Sequence, residues 1–296
     1  MLTSPWVVAL SAIFVWWFST GILLWRVRHA DNRGPESHLT SVIIGLPMLF
    51  AGAWGYVHTL QDATVQGVYV AFLSSLAVWG WIELAFLSGV ITGPNTDPCP
   101  THAGPLERFL RAVGTVLWHE IVLVTVLVAM AMHAGDAPNR FGLWTFLILF
   151  VARVSAKLNL YLGVPYINVE FLPSTLSHLS SYFRRTRMNH FFPLSVTLLT
   201  FATGCWVERA ISSGGSSHRE VGFWLLAALT ALAVLEHWFM VVNLQDRKLW
   251  KWMMPERRPP GARAFRPVSA PLPEPVRRAE TKLLKEEAKG ALVKSR

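Results

Sequence analysis

The stretch "AVGTVLWHEIVLVTVLVAMAMHA", residues 112–134, decides how the rest of the chain is read. As a helix rising 1.5 Å per residue it would be about 34 Å long, enough to cross a hydrocarbon core of about 30 Å. The run is apolar from Ala112 to Met132 except for small polar residues and the adjacent pair His119 and Glu120. Near the other end of the sequence, "AVLEHWFMV" (residues 233–241) repeats the motif in reverse order with Glu236 and His237. The fold must therefore explain apolar segments of membrane length and the ionisable residues inside them.

Similar stretches recur at 5–25, 39–60, 64–91, 141–163, 190–207 and 221–243. With 52% hydrophobic and 15% charged residues, the composition agrees with a polytopic membrane protein. The expected fold is all-α: a bundle of about seven transmembrane helices over residues 1–253, followed by a tail over 254–296.

Lys and Arg set the expected orientation. Segments 26–38, 92–111, 164–189 and 244–296 hold 22 of them, whereas the segments at the opposite ends of the spans hold 3. The rule places Met1 outside and the tail in the cytoplasm, in a bacterial inner membrane. No basic n-region or A-x-A site marks the first span, and Arg26, Arg28 and Arg33 follow it, so it reads as a retained anchor rather than a signal peptide.

Of the net charge of +9, the tail from Leu244 supplies +8. It begins with Trp250 and Trp252 among Arg247, Lys248 and Lys251, a pattern suited to an anionic leaflet. Seven prolines over 255–275 suggest an extended linker, and 276–292 suggests a short charged helix. No nucleic-acid recognition motif accompanies the basic charge, so lipid is the expected partner of the tail.

Cys99 and Cys205 fall at opposite ends of the bundle and are not expected to pair. The C-x-x-H spacing of Cys99 and His102, in a Pro- and Gly-rich loop, is a weak metal signal. P-loop, Rossmann and nucleophile-elbow motifs are absent, which argues against nucleotide-driven and acyl-transfer chemistry.

Counted along the spans, Glu83, His119, Glu120, Arg153, Lys157, Glu236 and His237 lie six to ten residues from one common edge. This corresponds to a layer roughly 9–15 Å deep. Charge at that depth is too costly to face lipid, so these side chains are expected to meet inside the bundle.

Three readings fit. The layer could be a salt-bridge network, in which one protonated histidine balances three glutamates against Arg153 and Lys157. It could be a metal site for iron, manganese or zinc, with Glu83, His119, Glu120, Glu236 and His237 as donors, although "HE" and "EH" lack the i, i+3 spacing of bundle di-iron sites. Thirdly, His119 or His237 could be the axial ligand of a magnesium tetrapyrrole.

Residues 171–189, "FLPSTLSHLSSYFRRTRMN", place Leu176, Leu179, Tyr182 and Phe183 at helical spacing. This predicts an amphipathic helix on the inner surface, with Tyr182, Phe183, Arg184, Arg185 and Arg187 as a docking face for lipid or a membrane partner.

Four segments carry a family resemblance: "WGWIELAFLSGVITGP" from Trp79, "SAKLNLYLGVPYINVEFLP" from Ser155, "LSSYFRRTRMNHFFP" from Leu179 and "LEHWFMVVNLQDRKLWKW" from Leu235. In this order they resemble the PuhE family of photosynthetic-complex assembly proteins, from the second span to about Trp252. The resemblance implies an inner-membrane factor acting in formation of the reaction centre and core light-harvesting complex, with an influence on bacteriochlorophyll supply. It supplies no catalytic residues and does not extend to the tail beyond Pro255.

Bacteriochlorophyll and a divalent transition metal are the candidate cofactors, and reaction-centre and core light-harvesting subunits the expected partners. The alternative is an intramembrane metal-dependent enzyme acting on a pigment, quinone or lipid precursor.

Overall fold

A computed structural model describes residues 3–169, 172–215 and 217–242 of the 296-residue chain. The expected linker and charged helix of the tail, together with Trp250 and Trp252, lie outside the described residues. Those that are described fall within one compact unit, Met1–Pro255.

The architecture is all-helical, with no strand among the described residues. Seven helices are long and apolar enough to cross a membrane: α1 Pro5–Asp31, α2 Pro35–Thr59, α3 Val65–Leu87, α4 Pro105–Ala134, α5 Phe141–Leu162, α6 Phe191–Ile211 and α7 Ser217–Phe239. They fit a multi-pass membrane protein. Large apolar side chains stay exposed on the outer helix faces, including Trp6, Trp54, Met132 and Phe201, as lipid contact would require.

Local sequence sets the helix boundaries. Pro5, Pro35 and Pro105 open α1, α2 and α4, where a missing N–H costs nothing. Thr64 caps α3 by accepting a hydrogen bond from Gly67 N (3.0 Å). Asn189 caps α6 by accepting from Phe191 N and Phe192 N (2.9 and 3.0 Å).

Several ends differ from the sequence expectation. The first helix continues past Trp25 through Arg26 and Arg28 to Asp31, and the fourth begins at Pro105 rather than Ala112. In both cases the extra turns carry charge that a hydropathy reading assigns to a loop.

The central helices are α3 and α7, each with 61% of its most apolar window buried. Because lipid tails are as apolar as leucine, association of these helices depends on close packing and on hydrogen bonds between them. A Cβ on Gly52 of α2 would lie 2.8 Å from the backbone Ser74 O of α3, so glycine there permits the close approach. Tyr56 Oη donates to Met130 O of α4 (2.7 Å), and Ser75 Oγ donates to Gly142 O of α5 (2.7 Å). Bonds of this kind contribute on average about 0.6 kcal/mol each in a membrane protein.

One end of the bundle carries most of the ordered connecting structure. Residues 163–190 contain a 3₁₀ helix, Ser174–Tyr182, instead of the predicted amphipathic surface helix. Leu176, Leu179 and Tyr182 are buried, the two leucines packing with Phe86, Val116 and Phe183. Asp31 accepts from Ser174 N and Oγ (3.2 and 2.5 Å), Thr175 Oγ1 donates to Leu87 O (2.8 Å), and Tyr182 Oη donates to Asp97 O (3.0 Å). The segment is therefore clamped onto the bundle end. Tyr182 belongs to that clamp and offers no docking surface, Phe183 is half-buried, and Arg184, Arg185 and Arg187 are exposed.

Candidate functional site

The position of the "HE" pair is set by the loop after α3. Thr92 O accepts from the His119 backbone N–H (3.0 Å), and Gly114 O accepts from Asn95 N (3.1 Å), so residues 92–95 lie along the backbone of α4. A Cβ on Gly93 would be 2.0 Å from Gly114 O. Glycine at 93 allows this contact, and the contact fixes His119 and Glu120 beside α3 and α5.

Glu83 on α3 receives Arg153 Nη2 of α5 at 2.8 Å through Oε2. Its Oε1 lies 3.6 Å from His119 Nε2, inside ion-pair range but beyond a good hydrogen bond. One α-helical turn along α5, Lys157 pairs with Glu120. The i, i+4 spacing of Arg153 and Lys157 thus serves two carboxylates on two helices.

Phe86 lies at the centre of this layer, a role the sequence reading missed. Its ring centroid is 4.3 Å from that of His119, with Lys157 Nζ at 5.1 Å and the Arg153 guanidinium carbon at 6.0 Å. The available signal was its i+3 relation to Glu83, which puts both on one face of α3.

The two remaining members of the predicted layer part company. Glu236 is half-buried on α7 and lines a chamber that Glu83, Glu120, Arg153 and Lys157 also line. No hydrogen bond or ion pair reaches Glu236 from the described residues. His237 turns to the other side, where its Nε2 is hydrogen-bonded to Ser155 Oγ (2.9 Å) and its Nδ1 donates to Ala233 O (2.7 Å). Those bonds leave neither nitrogen available.

This geometry decides what the layer can hold. Glu83 and Glu120 are engaged by cations and His237 is saturated. Among the described residues no group of three His, Cys, Asp or Glu side chains is placed to bind a metal ion. The five-residue ligand set is therefore not assembled. His119 is fully buried with Phe86 against its ring, and neither histidine lines the chamber, so the chamber offers a tetrapyrrole no axial imidazole from either.

The chamber has a volume of about 680 Å³ and lies between α1, α3, α4, α5 and α7, bordered by the 163–183 connection. Its walls are mainly apolar, with Leu23, Leu76, Trp79, Leu149, Leu229 and Leu232 among them, and its polar side is the ionisable layer. Apolar walls with a few convergent polar groups are the usual form of a small-molecule site.

Comparison with known proteins supplies the family. The family described as "Protein of unknown function (DUF3623)" matches residues 2–261. The chain belongs to the DUF3623 family. It is also 56% identical, over 272 residues, to a Rhodobacter capsulatus protein described as "Uncharacterized 30.4 kDa protein in puhA 5'region". That match covers 92% of this chain and 99% of the relative. No solved structure matches the chain. The DUF3623 match includes every residue of the layer and the chamber and stops within the tail.

Proposed function

We propose that this protein is an integral membrane factor assisting assembly of the photosynthetic reaction centre and core light-harvesting complex, with the chamber as its working site. The observation that carries the reading is the near full-length relative encoded in the puhA 5' region. It agrees with the PuhE resemblance of four separated segments. That resemblance also supports an influence on bacteriochlorophyll supply. Since neither histidine faces the chamber, such handling would use its apolar walls rather than an axial imidazole.

The loop-rich end is assigned to the cytoplasm of a bacterial inner membrane. Arg108, Arg111, Arg184, Arg185 and Arg187 lie there, in agreement with the positive-inside rule. The exposed arginines beside the 3₁₀ clamp would then face anionic headgroups and newly inserted subunits.

Deletion from a phototrophic host tests the proposal. Reaction-centre and core-antenna subunits should accumulate poorly, and the tagged protein should recover them, or bacteriochlorophyll, from membranes building photosystems. Restoration of the complexes by a diffusible precursor in the deletion strain, with no subunit or pigment recovered, would contradict it and favour an enzyme.

A further inference from the structure

The chamber has a charge pattern that identifies a class of ligand. Three carboxylates, Glu83, Glu120 and Glu236, line it with two cations, Arg153 and Lys157. Both cations are taken, by Glu83 and Glu120 respectively. The histidines give Glu236 no partner: both nitrogens of His237 are engaged, by Ser155 Oγ and Ala233 O, while His119 faces Glu83 and Phe86. Glu236 is thus left as a carboxyl group without a hydrogen-bonded or ion-paired partner among the described residues, Arg153 acting on it only at longer range, on the wall of an apolar chamber.

We propose that the chamber binds an amphiphile with a singly positive ammonium head, Glu236 serving as its counter-ion and the apolar walls holding its hydrocarbon body. A cation there balances the third carboxylate, which would otherwise be costly at membrane depth. Aromatic side chains add to the fit. Trp16, Trp79 and Phe109 line the same space, and ring faces attract cations. An anionic head would gain less, because Glu83 and Glu120 already neutralise Arg153 and Lys157, and Glu236 would repel it. The inference takes from the proposed function only that the chamber is the working site, and it does not depend on an assembly role.

The test measures binding of dodecylammonium, dodecanol and dodecanoate to full-length protein in a non-ionic detergent by native mass spectrometry. Dodecylammonium should bind at least tenfold more tightly than dodecanol, with dodecanoate weakest. In Glu236→Gln the advantage of the amine over the alcohol should vanish, and Leu232→Trp, which fills the chamber, should weaken all three. Equal binding of amine and alcohol to the native protein would overturn the proposal without any variant. So would an amine preference that survives Glu236→Gln, or tightest binding by dodecanoate. Loss of photosystem assembly on deletion leaves this result untouched, so the two proposals fail separately.

Discussion

Arg153 makes the most informative single contact, since one guanidinium nitrogen holds a carboxylate that is otherwise buried on α3. Arg153→Met should destabilise the bundle by less than the range of about 3–5 kcal/mol for a fully buried pair broken on one side, because the Arg153 side chain is 36% exposed. Combining it with Glu83→Gln should recover most of the loss, because no charge is then stranded. A double-mutant cycle on detergent unfolding would read this, and additive losses would show that the pair is not coupled. Ser155→Ala should cost about 1–3 kcal/mol by leaving His237 Nε2 unpaired in a buried site. Unchanged stability would place that nitrogen in contact with something other than Ser155. The layer itself was legible in sequence because charge inside an apolar run is costly wherever the run folds. The direction in which His237 points was not, since adjacent helical residues diverge by about 100° and the rotation of α7 is set by its packing against α6, α1, α5 and α3 together.

At the scale of elements, the 3₁₀ clamp and the 92–95 loop hold the layer from one end. Gly93→Ala puts a methyl against Gly114 O and should displace the loop, releasing the bonds from Asn95 N and His119 N. Hydrogen exchange at those two amides should rise, and unchanged protection would show that the close approach is not needed. Acid should loosen the clamp too. Burial holds His178 below the usual imidazole range, Asp97 opposing this only in part, so the folded clamp favours the neutral ring. Its stabilisation is complete above the unfolded-state value of about 6.5 and is lost as pH falls through that value towards the folded one. Exchange over 174–182 should therefore rise between about pH 7 and pH 5, and His178→Gln should flatten the rise. The clamp also shows why sequence misled here. Leu176, Leu179 and Tyr182 are spaced by three, which suits a 3₁₀ helix of 3.0 residues per turn as well as an α-helix. The serines between them favour turns: the Ser180 and Ser181 hydroxyls donate to Ser177 O and His178 O three residues back, and Ser181 Oγ also accepts from Cys99 N.

For the whole molecule, the seven apolar helices follow from length and hydropathy alone, because no other use of so many 20-residue apolar runs satisfies their backbone polar groups in lipid. The chamber does not follow from any single run. It arises where α1, α3, α4, α5 and α7 leave space beside their charged turns, and helix arrangement is a property of packed pairs rather than of one-dimensional pattern. Its contribution can be isolated in a phototrophic host lacking the gene. Three versions of the protein, each brought to equal membrane abundance, would be compared by the amount of assembled reaction centre and core antenna: wild type, the chamber-filling Leu232→Trp, and the outer-face control Phe201→Leu. Wild type and Phe201→Leu should restore the complexes, and Leu232→Trp should leave them several-fold depleted. Full restoration by Leu232→Trp at normal abundance would contradict the claim that the chamber is where this protein acts.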